Sequence, residues 1–181
     1  MHELKIVTYT GPFGYLKPWT AVRDGETYSQ QFLTPSVIEG MRQKLSVAQI
    51  LRHRLSYDLL DMQQEVVHAR AWKRGRPRNT GVLTRGILVN PTLRLAFGNE
   101  EDARRAACQH LCLCRNEDLV FPQAEIKTIE EVDFDRLDGF ELRFEAEHPA
   151  AFPVGYNRFA GGELMRGWLQ VGGRPVRLAG R

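Results

Sequence analysis

The residues best placed to do chemistry lie in "AWKRGRPRNTG", residues 71–81. Lys73, Arg74, Arg76 and Arg78 set four cations within six positions, opened by Trp72 and punctuated by Gly75 and Pro77. Like charges at this density repel one another unless an anionic partner compensates them. Their spacing suits the successive phosphates of a single strand, and Trp72 offers a ring on which a base can stack. The bland alternative is a solvated turn. The connection 11–32 is a second candidate, because Lys17, Trp19 and Tyr28 mix donors and aromatic rings with flexible backbone, as single-stranded nucleic acid requires. In "VGYNRFAGGELMRG", residues 154–167, Arg158 sits in a Gly-rich strand connection that reads either as a backbone cradle for phosphate or as a plain hairpin. Arg42 and Arg85 are further cations expected to face nucleic acid.

Other chemistries find less support. In "CQHLCLC", Cys108 and Cys112 are four apart, as are His110 and Cys114; on a helix the two pairs project about 200° apart, so one ion cannot take all four. No metal or other cofactor is expected. His53, His68 and His110 could each act as a base, with Tyr9, Tyr28 and Tyr57 as partners, in the manner of a metal-independent ribonuclease. The chain has no G-x-S-x-G, no P-loop, no dinucleotide fingerprint and no H-E-x-x-H, so a non-catalytic role without a small-molecule substrate is the primary expectation.

Composition narrows the class. The net charge is only +3, but the cations are 20 Arg against 5 Lys, and the planar guanidinium is the better fork for phosphate. Charge is segregated: residues 70–94 hold seven cations and no acid, whereas residues 125–147 hold nine acids against Lys127, Arg136 and Arg143. One end is expected to attract polyanions, and the acidic segment to face away or meet protein. With 43% apolar residues the 181-residue chain is long enough to bury roughly 70% of its unfolded surface without a staple. The three cysteines fall within seven residues of one another, and Glu3 and Lys5 interrupt the start where a leader needs an apolar core. A cytoplasmic protein with no membrane segment is expected.

The elements that must position these residues follow from periodicity. "ELKIVTYT" (3–10) alternates and stops at Gly11-Pro12, as a strand does. "LTPSVIEGMRQKL" (33–45) predicts a helix with Thr34 as N-cap, Pro35 at its first position, and Val37, Ile38, Met41 and Leu45 inward. Residues 47–60 and 63–72 predict strands that reach the basic tip, and "GVLTRGILVNPTLRLAF" (81–97) runs back from it. "NEEDARRAACQHLCLC" (99–114) predicts a second helix with Asn99 as N-cap, Ala103, Ala106, Ala107, His110, Leu111 and Cys114 inward. "DLVFPQAEIKTIEEV" returns to strand, and the tail divides into short strands. The order implies an α+β fold: a ferredoxin-like (RRM-like) core over 1–137, an extended central β-hairpin thumb at about 62–97, and a β-rich C-terminal extension over 138–181.

"ELKIVTYTGPFGYLKPW" followed by "ETYSQQFLTPSVIEGM" resembles the opening of the CRISPR-associated "Cas five" family of the RAMP superfamily: a first strand, Gly11-Pro12, an aromatic connection, Tyr28-Ser29, then Thr34-Pro35-Ser36 and Gly40. "HLCLCRNEDLVFPQAEI" is similar to the family's stretch after the second helix, with Cys114-Arg115 and Asp118 in place of its Leu-Gly-Arg and acid. The resemblance implies an RNA-recognition core with a hairpin thumb that caps the 5′ handle of the guide RNA (crRNA) in a Cascade-type antiviral effector, beside its backbone and large subunits. It also implies that Arg115 belongs to the RNA-facing set. One branch of the family cleaves repeat RNA with a Tyr after the first helix and a Lys-His pair. Here that helix ends "MRQKLSV" and no Lys-His dipeptide exists, which disfavours the alternative of a nuclease processing precursor crRNA. A basic protein-interaction module is the remaining alternative.

Overall fold

The computed structural model describes residues 3–18, 25–68, 80–157 and 161–178. Twelve strands and three helices follow one another among them: β1 (Glu3–Thr10), β2 (Phe13–Gly14), β3 (Glu26–Tyr28), α1 (Pro35–Leu45), β4 (Arg52–Ser56), β5 (Leu59–His68), β6 (Thr80–Val89), β7 (Thr92–Phe97), α2 (Glu100–Ala107), β8 (Leu111–Cys112), β9 (Leu119–Glu130), α3 (Glu131–Arg136), β10 (Gly139–Arg143), β11 (Phe152–Asn157) and β12 (Glu163–Gly172). The chain is a strand-rich α+β protein. None of its described helices is long and apolar enough to cross a membrane.

Eight strands form the main sheet in the order β11-β12-β10-β4-β7-β1-β9-β8, each described pairing antiparallel. At its centre stand β4, β7, β1 and β9, with α1 preceding β4 and α2 following β7 in the chain. The alternation in β1 sends Val7 and Tyr9 to one face, where Leu55, Leu93, Leu95 and Phe97 join them under Met41 and Leu45 of α1 and Ala103 and Ala106 of α2. The Tyr9 hydroxyl donates to the Ala106 carbonyl at 2.7 Å, tying α2 to the sheet, and burial pushes its pKa upward. α1 begins as expected, with Thr34 extended as N-cap and Pro35 inside the first turn; Ser46 ends it in the left-handed region.

Leu4, Ile6 and Ala96 face the other way and pack on Phe134 of α3. Two arginines of β4 share that face. Arg52 donates from Nε and Nη2 to the two oxygens of Glu141 at 2.8 Å each, and reaches Glu131 at 2.9 Å and Asp135 at 2.6 Å. Arg54, fully buried, donates to the carbonyls of Gly139, Gln170 and Asp135, each at 3.3 Å, and its Nε lies 3.7 Å from Glu141. Both guanidiniums lie over the Phe134 ring. Gly172 is required here, because a Cβ would collide with the Leu137 carbonyl. Three of the nine acids between 125 and 147 therefore neutralise interior cations, a destination not legible from their segregation.

Two expectations change. The second helix stops at Ala107; Cys108 is its C-cap, Leu111–Cys112 is a strand, and Leu113 donates its amide to the Asp118 carbonyl in the following turn. His110 and Cys114 are consequently exposed instead of inward. The run 81–97 is two strands of different sheets, because Asn90 takes a positive φ of 47° before Pro91 and turns the chain out of β6 into β7. The tail from 138 joins the main sheet, with Phe140 of β10 opposite Leu55 of β4.

Glu141→Gln is expected to lower unfolding free energy by about 3–5 kcal/mol, since two buried guanidiniums would share the loss of their central carboxylate. Urea denaturation followed by circular dichroism measures it. His53 supplies a pH test. Burial, aided by Arg52, Arg54 and Arg143 against the opposing pull of Glu141, lowers its pKa from 6.5 to about 4, and its Nε2 has no partner among the described residues. The unfolded chain thus takes up the proton first. Stability is complete above pH 6.5 and falls by about 1.4 kcal/mol per pH unit on going down to 4. His53→Leu should flatten that slope in denaturation curves recorded across the window.

Candidate nucleic-acid interface

The second sheet has β6 at its centre. β5 runs antiparallel along one edge, from Leu59 opposite Val89 to His68 opposite Thr80. On the other edge lie β2, antiparallel, and β3, parallel, both contributed by the connection 11–32. This connection is therefore partly strand, and Ser29 holds it closed: its amide donates to the Gly86 carbonyl at 2.7 Å, while its hydroxyl accepts from Leu16 N at 2.9 Å.

Period-two alternation divides the sheet's faces. One face carries Tyr28, Met62, Val66 and Val82, all exposed and apolar, with Val66 directly opposite Val82. Tyr28 is half exposed, lies across Gly86 and donates its hydroxyl to Glu26 at 2.8 Å. Gly86 is what lets the ring lie flat, because a Cβ there would collide with it.

The opposite face carries Arg85, whose Nε donates to Glu65 Oε2 at 2.8 Å. Its guanidinium sits 5.1 Å from the centroid of Tyr15, and that of Arg115 sits 5.5 Å from the same ring. Arg115 is fixed by a two-pronged pairing with buried Asp118, Nε to Oδ2 at 2.9 Å and Nη2 to Oδ1 at 2.8 Å. Asp118 also accepts the Arg115 amide at 2.7 Å, which explains the tight turn at 115–118. Burial pushes the Tyr15 phenol up in pKa, and the two arginines pull it down. Tyr15, Glu65 and Asp118 escaped the sequence reading as members of this cluster; only the three-residue spacing of Arg115 and Asp118 hinted at one pairing.

The expected site residues distribute as follows. Arg85 and Arg115 are brought together against Tyr15, and Tyr28 lies on the other face of the same sheet. Lys17 is exposed and makes no side-chain hydrogen bond or ion pair among the described residues. Arg42 belongs elsewhere: it donates to both oxygens of Glu39 at 2.8 Å and to Val47 O at 3.1 Å, and holds the Glu39 carboxyl down at about 2. With Asp102 and Arg105 it lines an open groove of about 600 Å³ between α1 and α2. Trp19, Trp72, Lys73, Arg74, Arg76, Arg78 and Arg158 lie outside the described residues.

Of the histidines weighed as bases, His53 is sealed inside and held neutral, while His110 is exposed and tilts against Phe121. The three cysteines are free and exposed, and no group of three or more metal-ligating side chains is gathered among the described residues. No family model matches the chain, and no curated protein matches it.

Gly86→Ala is expected to push Tyr28 off β6 and loosen β3, at a cost of about 1–3 kcal/mol. Hydrogen exchange at the Ser29 amide, which depends on the Gly86 carbonyl, should accelerate markedly in the variant.

Proposed function

We propose that the chain is a non-catalytic RNA-binding subunit that caps the 5′ handle of crRNA in a multi-subunit CRISPR interference complex, as its resemblance to the "Cas five" family implies. The central strand order β4-β7-β1-β9, with one helix before β4 and one after β7, supports a ferredoxin-like reading of the core. The observation that carries the function is the hairpin inserted between β4 and β7. Its last paired residues are His68 and Thr80, and the run Lys73–Arg78 falls between them in the sequence. Paired strands ten residues long flank that cationic segment in the chain. Lys17 and Tyr28, exposed on the connection beside it, extend the surface, and the apolar face of the hairpin suits a neighbouring subunit of the complex.

Purified protein in chelator, mixed with end-labelled repeat RNA, should give a shifted band on a native gel and intact RNA on a denaturing one. Replacing Lys73, Arg74, Arg76 and Arg78 together by Ala should make the slope of log affinity against log salt shallower by about 3 units, the share of four phosphates on a single strand. Undiminished affinity in that variant, or a shortened RNA product, would count against this function.

A further inference from the structure

The geometry points to a phosphate-binding site midway along the hairpin arm, built by Arg85, Arg115 and Tyr15 and occupied in the free protein by the carboxylate of Glu65. Glu65 makes both of its contacts here through one oxygen: Oε2 is 2.8 Å from Arg85 Nε and 3.9 Å from Arg115 Nη1, the second beyond hydrogen-bond reach. The cluster therefore holds donors that the carboxylate leaves unfilled. Arg115 Nη1 makes no hydrogen bond among the described residues, because Asp118 takes Nε and Nη2. The Tyr15 hydroxyl, on a residue only 1% exposed, makes no well-formed hydrogen bond there, although Arg85 interacts with it. A buried phenol without a well-formed hydrogen bond costs the folded state free energy, and a ligand oxygen would recover it.

A phosphodiester fits this deficit. It carries the single negative charge of the carboxylate it would replace, so the charge balance with Asp118 and with Glu117, 3.4 Å from Arg115 Nε, is unchanged. Its additional oxygens can accept from both guanidiniums and the phenol at once. Glu65 is 37% exposed at its side chain and can turn into water as the phosphate enters. It acts as an internal competitor that weakens binding until a polymer anchored elsewhere presents a phosphate at high local concentration.

Glu65→Gln tests this. Asp61→Asn is the control, since Asp61 is exposed on the same strand face and loses the same charge. With single-stranded RNA, Glu65→Gln should bind severalfold more tightly and steepen the salt slope by about 0.7, the increment of one further phosphate; Asp61→Asn should not. Equal effects of the two substitutions would overturn the site. Tyr15→Phe guards against a folding artefact. It removes a hydroxyl that makes no well-formed hydrogen bond in the free protein, so the thermal midpoint should change little, yet combined with Glu65→Gln it should abolish the gain; retention of the gain also overturns the site. Identification of the polymer as RNA rests on the function proposed above, whereas the site does not. Inorganic phosphate, compared with chloride at equal ionic strength, should raise the thermal midpoint of Glu65→Gln even if wild-type protein fails to shift RNA, and no rise beside an unchanged RNA slope refutes the site itself.

Discussion

The carboxylate of Glu141 holds the molecule's two halves together. It is 2% exposed and meets the guanidiniums of both Arg52 and Arg54, so strand β10 is bound to β4 by charge as well as by backbone pairing. α3 then closes over the same cations through Glu131 and Asp135, and β12 follows through Gln170. An apolar sheet face needs only matching volume, but this face needs specific partners from three other elements at once. Buried pairs of this kind add little over a well-packed apolar core, yet losing one member is costly, which makes the arrangement restrictive more than it makes it strong.

The hairpin sheet obeys a different constraint. It leaves the main sheet at Tyr57-Asp58 and returns at Asn90-Pro91, where the Asp58 amide donates to the Val89 carbonyl and Asn90 donates its side-chain amide to Asp58 at 2.7 Å. Arg177 adds a third strut, donating to Asp58 at 2.6 Å and to the Asn90 carbonyl at 2.7 Å. The arm is thus gripped at its root by short polar contacts and midway along by the Tyr15 cluster. Farther out, the Val66 and Val82 side chains stand in solvent. Specific polar contacts thus fix the root, whereas the outer length presents apolar side chains to solvent.

Local signals were legible and distant ones were not. β1 announced itself by alternation and α1 by its Thr-Pro entry, because both signals lie within a few neighbouring residues. The end of α2 was hidden: Leu111 and Leu113 continue an apolar pattern that strand and helix share over so short a stretch, and the turn tightened by Asp118 decides between them. Residues 81–97 read as one strand because Asn90-Pro91 breaks direction without breaking the apolar run. Among the site residues, residue type identified Arg85 and Arg115 as cations, but their carboxylate partners Glu65 and Asp118 come from pairings that only the fold creates. Nor could composition reveal that Arg52 meets an acid 89 residues away.

That separation has a consequence for how the chain is made. Arg52 and Arg54 leave the ribosome well before Glu141, by roughly five to twenty seconds at ordinary rates of synthesis. Once β7 has followed, about half-way through that interval, β4 can pair with it, but its outer edge and its two cations have nothing to close on. The nascent N-terminal portion must wait in a hydrated, incompletely covered form, and the sheet becomes a single cooperative unit only when the last strands arrive.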